Sequence, residues 1–297
     1  MVTKKIFITG GTGNIGRALI RELLAYGHEV RVLQRKTDLE SKEPGITSVA
    51  GDILKPESYT QALKGTDVVI HAAGLTHTND IPEYFRINTA ATFDLIKACE
   101  SNSVKRFIFI STRAISEQGG GYSISKLKAE EHVRFSSLNW VILRLSEVYG
   151  SPGREGVNMI INTAQIFPFV PVIGDGSYTL CPVYKDDAVC AISSMVDRQE
   201  LKHKIYLIGG PETFTYRKFV DEVLHIYGLK KFKLYIPLTI LKILLQIAAL
   251  LSKNSTFVMD QVPRLLSPKF SDISSAKKDF GYEPRRLSDV LSRNKKI

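Results

Sequence analysis

In the stretch GGGYSISKLKAEEHVRF, residues 119–135, a tyrosine and a lysine stand four places apart as Tyr122 and Lys126. On a helix, that spacing places both side chains on one face, one turn apart. A phenol ordinarily titrates near pH 10, and a neighbouring ammonium favours its ionised form, so such a pair can move a proton near neutral pH. Spacing alone does not separate a catalytic couple from two residues that happen to share a face. Tyr227 and Lys231, in YGLKK, repeat the spacing, but Gly228 between them makes a continuous helix less favourable.

A glycine cluster supplies a second chemistry. In TGGTGNIGRALIRELL, Gly10, Gly13 and Gly16 follow an apolar strand-like run and open a helix-like one. The first glycine permits a tight turn, the second lets the main chain approach a pyrophosphate, and the third lets helix pack on strand. Thr12, Asn14 and Ile15 belong to the same turn, whose free amides and helix dipole can hold an anion. Which dinucleotide is held depends on the end of the second strand, where an acidic residue would take the ribose hydroxyls of NAD. Here the chain reads Gln34, Arg35, Lys36, with Asp38 too far along. Arg35 can grip a 2′-phosphate that a carboxylate would repel, which favours NADP. NAD is the alternative if Arg35 and Lys36 form only a solvated turn.

Elements to carry these residues alternate along the first half. Candidate strands are 4–10, 29–34, 46–51, 67–74, 106–112 and 139–145; helix-like stretches cover 14–26, 56–64, 83–101 and 121–137. Apolar strands alternating with helices predict an α/β fold with a doubly wound parallel sheet. After about residue 150 the rhythm changes, so residues 151–297 are expected to form mainly a smaller C-terminal substrate-binding lobe, with about 180–208 returning to the sheet. The apolar segment 236–252 carries Lys242 and Gln246 and falls short of the ~20 residues that span a bilayer. It reads as a buried or interfacial helix, membrane docking being the lesser alternative.

The 297 residues suffice for one large domain with an appended lobe, and 44% hydrophobic against 24% charged residues is the balance of a folded globular chain. Cys99, Cys181 and Cys190 are scattered, which argues against a disulfide framework or a zinc site and suits a reducing cytoplasm. The net charge of +10 is dispersed, without a run of five basic residues, so a basic cleft for a phosphorylated cofactor is favoured over nucleic acid. The apolar stretch near the N-terminus is too short for a signal peptide.

The segments TGGTGNIG (9–16), GDI (51–53), HAAG (71–74), RINTAAT (86–92), FISTRA (109–114), YSISK (122–126), LRLSEVYG (143–150), and IGDGSY (173–178) with VYKDDAV (183–189) follow one another in a specific order. Together they resemble the extended branch of the short-chain dehydrogenase/reductase superfamily, the NAD(P)-dependent epimerase/dehydratase group. The resemblance covers nearly the whole chain. It implies a Rossmann sheet in which Asp52 and Ile53 contact the adenine, Ala72, Ala73 and Gly74 line the cofactor, Asn88 lies in the helix beneath the site, and Ser146 is near the nicotinamide. Tyr122 would exchange a proton with the substrate oxygen, Lys126 would hold the ribose, and Thr112, in preference to Ser111, would polarise that oxygen. Homodimerisation through the helices at 83–101 and 121–137 is implied as well. His71, His77 and His132 are read as structural or solvated, and Asp186–Asp187 as a helix-capping turn; no metal is called for.

Two departures bear on the substrate. Relatives that act on nucleotide sugars carry an arginine after the GDG turn, where this chain has Leu180, and LRLSEVYG lacks the proline common after the arginine. Arg154 is an alternative phosphate ligand. The expectation is therefore an NADP-dependent oxidoreductase acting on one carbonyl/alcohol centre of a small molecule. The alternatives are a nucleotide-sugar epimerase or dehydratase that recycles bound NAD, and a non-catalytic NADP(H) sensor or assembly protein.

Overall fold

Strand-length runs without a polar face, such as KIFIT and VVIH, persist where helices cover both sides of a sheet. The computed structural model, which describes residues 2–35, 44–150, 156–251, 259–267 and 269–294, is built on that rule. Its first half runs β1 (Lys5–Thr9), α1 (Asn14–Ala25), β2 (Glu29–Gln34), β3 (Ile46–Ala50), β4 (Val68–His71), α2 (Ile81–Tyr84), α3 (Ala91–Ser101), β5 (Arg106–Thr112), α4 (Gly120–Arg134) and β6 (Trp140–Leu145). The second half holds β7 (Val148–Tyr149), α5 (Gly156–Ile166), β8 (Phe169–Ile173), β9 (Thr179–Leu180), β10 (Val183–Tyr184), α6 (Lys185–Ser194) and β11 (Lys204–Ile208). It ends with β12 (Phe214–Thr215), α7 (Tyr216–Tyr227), β13 (Phe232–Ile236), α8 (Leu238–Leu251), α9 (Gln261–Leu266), α10 (Ser274–Phe280) and α11 (Leu287–Asn294).

Seven strands form one parallel sheet in the order β11-β6-β5-β4-β1-β2-β3. The expected doubly wound α/β sheet is thus present, and its order reverses between β1 and β4. At such a reversal the loops leaving the two strands splay apart and open a crevice at their C-terminal ends. Alternate residues serve the two faces: Ile6, Ile8 and Val32 join the core under α1 and α6, while Phe7, Val69 and Phe107 join the core under α3 and α4. A third apolar cluster, including Val170, Val172, Phe219, Val223 and Leu291, lies among the later elements. Between them, β11 brings the chain back to the sheet edge by pairing with β6. Arg106, wholly buried, ties this return to β5: its guanidinium donates to the carbonyls of Met195 (2.9 Å) and Leu201 (3.2 Å) and to Asn139 (2.9 Å).

Several local expectations change. Residues 56–64 are not an α-helix but two 3₁₀ turns, Pro56–Ser58 and Thr60–Leu63, separated by Tyr59. Tyr59 leaves helical geometry and buries its ring against Phe7, so burial of a large aromatic outweighs helix continuation. The helix expected over 83–101 is interrupted by a wider π turn, Phe85–Ala90, which carries Asn88. Tyr227 ends α7 and Gly228 turns left-handed (φ +67°), so Lys231 lies beyond the helix and bonds the carbonyls of Gln165 and Phe167 instead. Asp186 and Asp187 lie in the first turn of α6 without capping it; Asp187 instead pairs with Arg285 at 2.6 Å. The apolar segment forms α8, with Leu245 buried and Ile240 and Ile243 about half exposed. Among the described residues no helix is long and apolar enough to cross a membrane. All three cysteines are free.

The crevice depends on one close approach. Gly10 has φ +77°, and a Cβ there would come within 2.6 Å of the Ala72 carbonyl carbon and the Ala73 nitrogen. Gly10→Ala should therefore lower stability by about 1–3 kcal/mol, read as a reduced urea midpoint at unchanged m-value.

Candidate active site

β1 delivers the glycine turn into the crevice. Gly13 precedes α1 without a capping side chain, and no acidic residue occupies the first turn. The leading amides of a helix have no partner within it, so this end presents donors to an anion. Glycine is needed at Gly16 for packing, since a Cβ would collide with the Gly10 carbonyl oxygen. At Gly13 a Cβ would meet only that oxygen, at 3.4 Å, which leaves the remaining side open to a ligand. At the end of β2, Gln34 is buried and neither atom of its side-chain amide has a hydrogen-bond partner. An open glycine turn, an uncapped helix and an orphaned amide at neighbouring strand ends fit a bound dinucleotide. Arg35 is exposed immediately beyond Gln34; Lys36 and Asp38 lie outside the described residues, as does Arg154.

The other expected cofactor residues surround this opening. Asp52 and Ile53 follow β3, half-buried; the Asp52 carboxylate accepts from the Leu54 amide at 3.0 Å. Ala72 and Ala73 follow β4, and their amides are held by the carbonyl and hydroxyl oxygens of Thr9 at 3.1 and 3.2 Å. Asn88 is buried and spent on structure: it accepts from the Leu75 amide (2.8 Å) and donates to the Leu75 carbonyl (3.0 Å) and the Ser125 hydroxyl (3.1 Å). It thereby clamps the segment just after Gly74 rather than facing the opening. His71 is structural: it bridges Thr9 (2.6 Å) and Thr92 (2.9 Å), and burial takes its pKa down to about 3, which leaves it neutral.

At the end of β5, successive residues point to opposite faces. Ser111 turns inward, where its hydroxyl donates at 2.5 Å to the buried Glu130, which pairs with the partly exposed Arg144. Thr112 turns the other way, accepts from the Ala114 amide at 3.1 Å and stands beside the Tyr122 hydroxyl, where it favours the ionised phenol. Of the two, Thr112 is the hydroxyl placed beside the phenol.

The α4 helix brings Tyr122 there. Asp260 accepts from the amides of Gly121 (2.5 Å) and Tyr122 (3.2 Å), so a carboxylate from the far end of the chain closes the start of this helix. One turn on, the Lys126 ammonium donates to the Ile110 carbonyl at 3.0 Å and lies 4.0 Å from the centre of the Phe109 ring. Burial lowers its pKa to about 7, against an opposing pull from Glu130. The phenol itself is pushed up by burial, which Arg264 and the neighbouring Thr112 hydroxyl counter in part. The cation over the Tyr122 ring is thus Arg264, 4.6 Å from its centre, and not the lysine that spacing singled out. Nothing in the sequence marked Arg264.

Above Thr112 and Tyr122 opens a pocket of about 360 Å³. Its walls are chiefly apolar and come from Leu145, Ile160, Leu180, Leu241, Leu245 and Val262. Ser146 lies on its rim and donates to Glu147 at 2.8 Å, and His77, expected to be solvated or structural, lines it as well.

A family model described as NAD(P)H-binding matches residues 10–165. A 2-alkyl-3-oxoalkanoate reductase of Stenotrophomonas maltophilia (strain K279a) is 26% identical over 95% of this chain and 95% of its own length. A UDP-glucose 4-epimerase of Vibrio cholerae is 26% identical over 95% of this chain and 91% of its own. Among solved structures, a UDP-glucuronic acid 4-epimerase of Bacillus cereus, in complex with UDP-glucuronic acid and NAD, superposes with a TM-score of 0.76 at 22% identity, covering 98% of both chains. The chain therefore belongs to the NAD(P)H-binding family, and within it to the extended short-chain dehydrogenase/reductases, as an NAD(P)-dependent enzyme of their oxidoreductase and epimerase group.

Proposed function

We propose that the protein is an NADP-dependent oxidoreductase acting at a single carbonyl/alcohol centre of an apolar small molecule, with Tyr122 as the proton-transfer group. The observation that carries this reading is the Tyr122 phenol beside Thr112 in one largely apolar pocket. Leu180 supports an apolar substrate over a nucleotide sugar. It is buried in the pocket wall, where the resemblance leads one to expect an arginine in nucleotide-sugar enzymes.

When bound, the nicotinamide supplies or accepts the hydride. In the direction of reduction, Thr112 and Tyr122 hold the carbonyl oxygen from one side, and Tyr122 gives it a proton as the carbon is reduced. Burial keeps the phenol protonated and ready to donate. The phenolate that remains is stabilised by Arg264 and by the neighbouring Thr112 hydroxyl, until a proton returns. Lys126, anchored on Ile110, fixes α4 at this depth and offers its remaining donors to a ribose. Arg35, exposed at the end of β2, would take the 2′-phosphate, and the unpartnered Gln34 amide beneath it would take the adenosine end.

Mass spectrometry of nucleotide released from the purified protein, combined with NADPH consumption on a panel of apolar ketones, tests the whole reading; NAD alone, retained without net turnover, would replace it with an epimerase. Tyr122→Phe should lower kcat by about 10²–10⁴-fold while NADPH affinity is kept. Because burial raises the phenol pKa, kcat/KM for alcohol oxidation should climb with pH by about tenfold per unit below that pKa, whereas reduction should not. Arg35→Ala should weaken NADPH binding by about 10–100-fold and leave NADH unchanged, as measured by fluorescence titration of each nucleotide.

A further inference from the structure

Three basic side chains and one acidic one line the pocket above Tyr122: Arg113, Arg264 and Lys269 against Glu147. Glu147 is fully engaged. It takes two contacts from Arg113, at 2.8 and 3.0 Å, one from the Cys181 amide at 3.0 Å and one from the Ser146 hydroxyl at 2.8 Å. Burial by itself would push its carboxyl up, but Arg113 and these donors bring it below the ordinary carboxylate range.

Arg264 and Lys269 have no carboxylate partner among the described residues. Arg264 donates to the Thr76 carbonyl at 3.2 Å, and Lys269 donates to the Leu265 carbonyl at 2.8 Å. Either contact satisfies one donor of a group that has several. Burial, aided by Arg113 and Arg264 and opposed by Glu147, draws the Lys269 ammonium down to about 8. Arg113, only 4% exposed, still has an Nε without a partner. Two cations in a largely apolar wall, offset only in part by Glu147, cost free energy until an anion joins them.

We propose that Arg264 and Lys269 form a carboxylate-binding subsite, so that the substrate is an apolar oxo acid or the corresponding hydroxy acid. Because Arg264 stands over the Tyr122 ring, the carboxylate it holds lies close to the oxygen that Tyr122 serves. The apolar tail then runs along Leu241 and Leu245 of α8. Leu145, Ile160, Leu180 and Val262 on the same wall suit such a tail better than the sugar and base of a nucleoside diphosphate. Placement of the carbonyl rests on the proposed role of Tyr122; the anion subsite stands on the charge pattern alone.

Calorimetric titration of the native protein with decanoate and with 1-decanol tests the subsite. Decanoate should bind at least about tenfold more tightly. Lys269→Met and Arg264→Met should each reduce that preference, and Lys269→Arg should keep it. Equal binding of the two ligands to the native protein overturns the proposal. Persistence of the preference in the double variant Arg264→Met/Lys269→Met does so as well, as does displacement of decanoate by UDP more readily than by octanoate. Failure of the proposed reaction would show separately, as absent NADPH turnover in a protein that still prefers decanoate.

Discussion

The active-site geometry hangs on a buried ammonium. Lys126 reaches from α4 across to the Ile110 carbonyl, one strand residue before the Ser111–Thr112 pair, and lies against Phe109. A carbonyl and a ring face replace only part of the lost water, which is why the group's pKa falls. In exchange, the helix is fixed in depth and rotation relative to the strand, and Tyr122, one turn earlier, meets Thr112. Asp260 fixes the start of the same helix by accepting two backbone amides.

That constraint explains why the polar groups nearby fall into two sets. Ser111 and Glu130, joined by the partly exposed Arg144, form a closed network on the inner side of β5, and His71 is closed between two threonines. Such groups brace the floor. Thr112, Tyr122, Arg264 and Lys269 keep capacity directed at the pocket, while Gln34 keeps its capacity at the far strand end. Buried polar groups in folded proteins are nearly always satisfied, so the unpartnered Gln34 amide at a strand end suits a ligand there, whereas the Tyr59 hydroxyl, also unpartnered, lies inside the core.

The placement of β11 and the later helices turns this floor into an enclosed site. Arg106 locks the return of the chain to the sheet edge, and from there α7, α8 and α9 come to lie over the C-terminal ends of β5 and β6. Leu241 and Leu245 add an apolar wall, and Arg264 adds a charge over the phenol. The wall sets what can enter; the strand ends set what can react.

Local patterning made the sheet, the glycine turn and the Tyr122–Lys126 face legible in the amino-acid order alone. Apolar runs of strand length, glycines at fixed spacing and a four-residue interval are short-range properties of a chain. The same logic dismissed Tyr227 and Lys231, because a glycine between them ends the helix. Where burial of one side chain competed with helix propensity, as at Tyr59, short-range patterning misjudged the element. Arg264 over Tyr122, Asp260 beneath α4, and the pairing of Arg113 with Glu147 were decided only by tertiary structure. These partners lie 142, 139 and 34 residues apart, and electrostatic contact depends on distance in space, which no interval along the chain encodes.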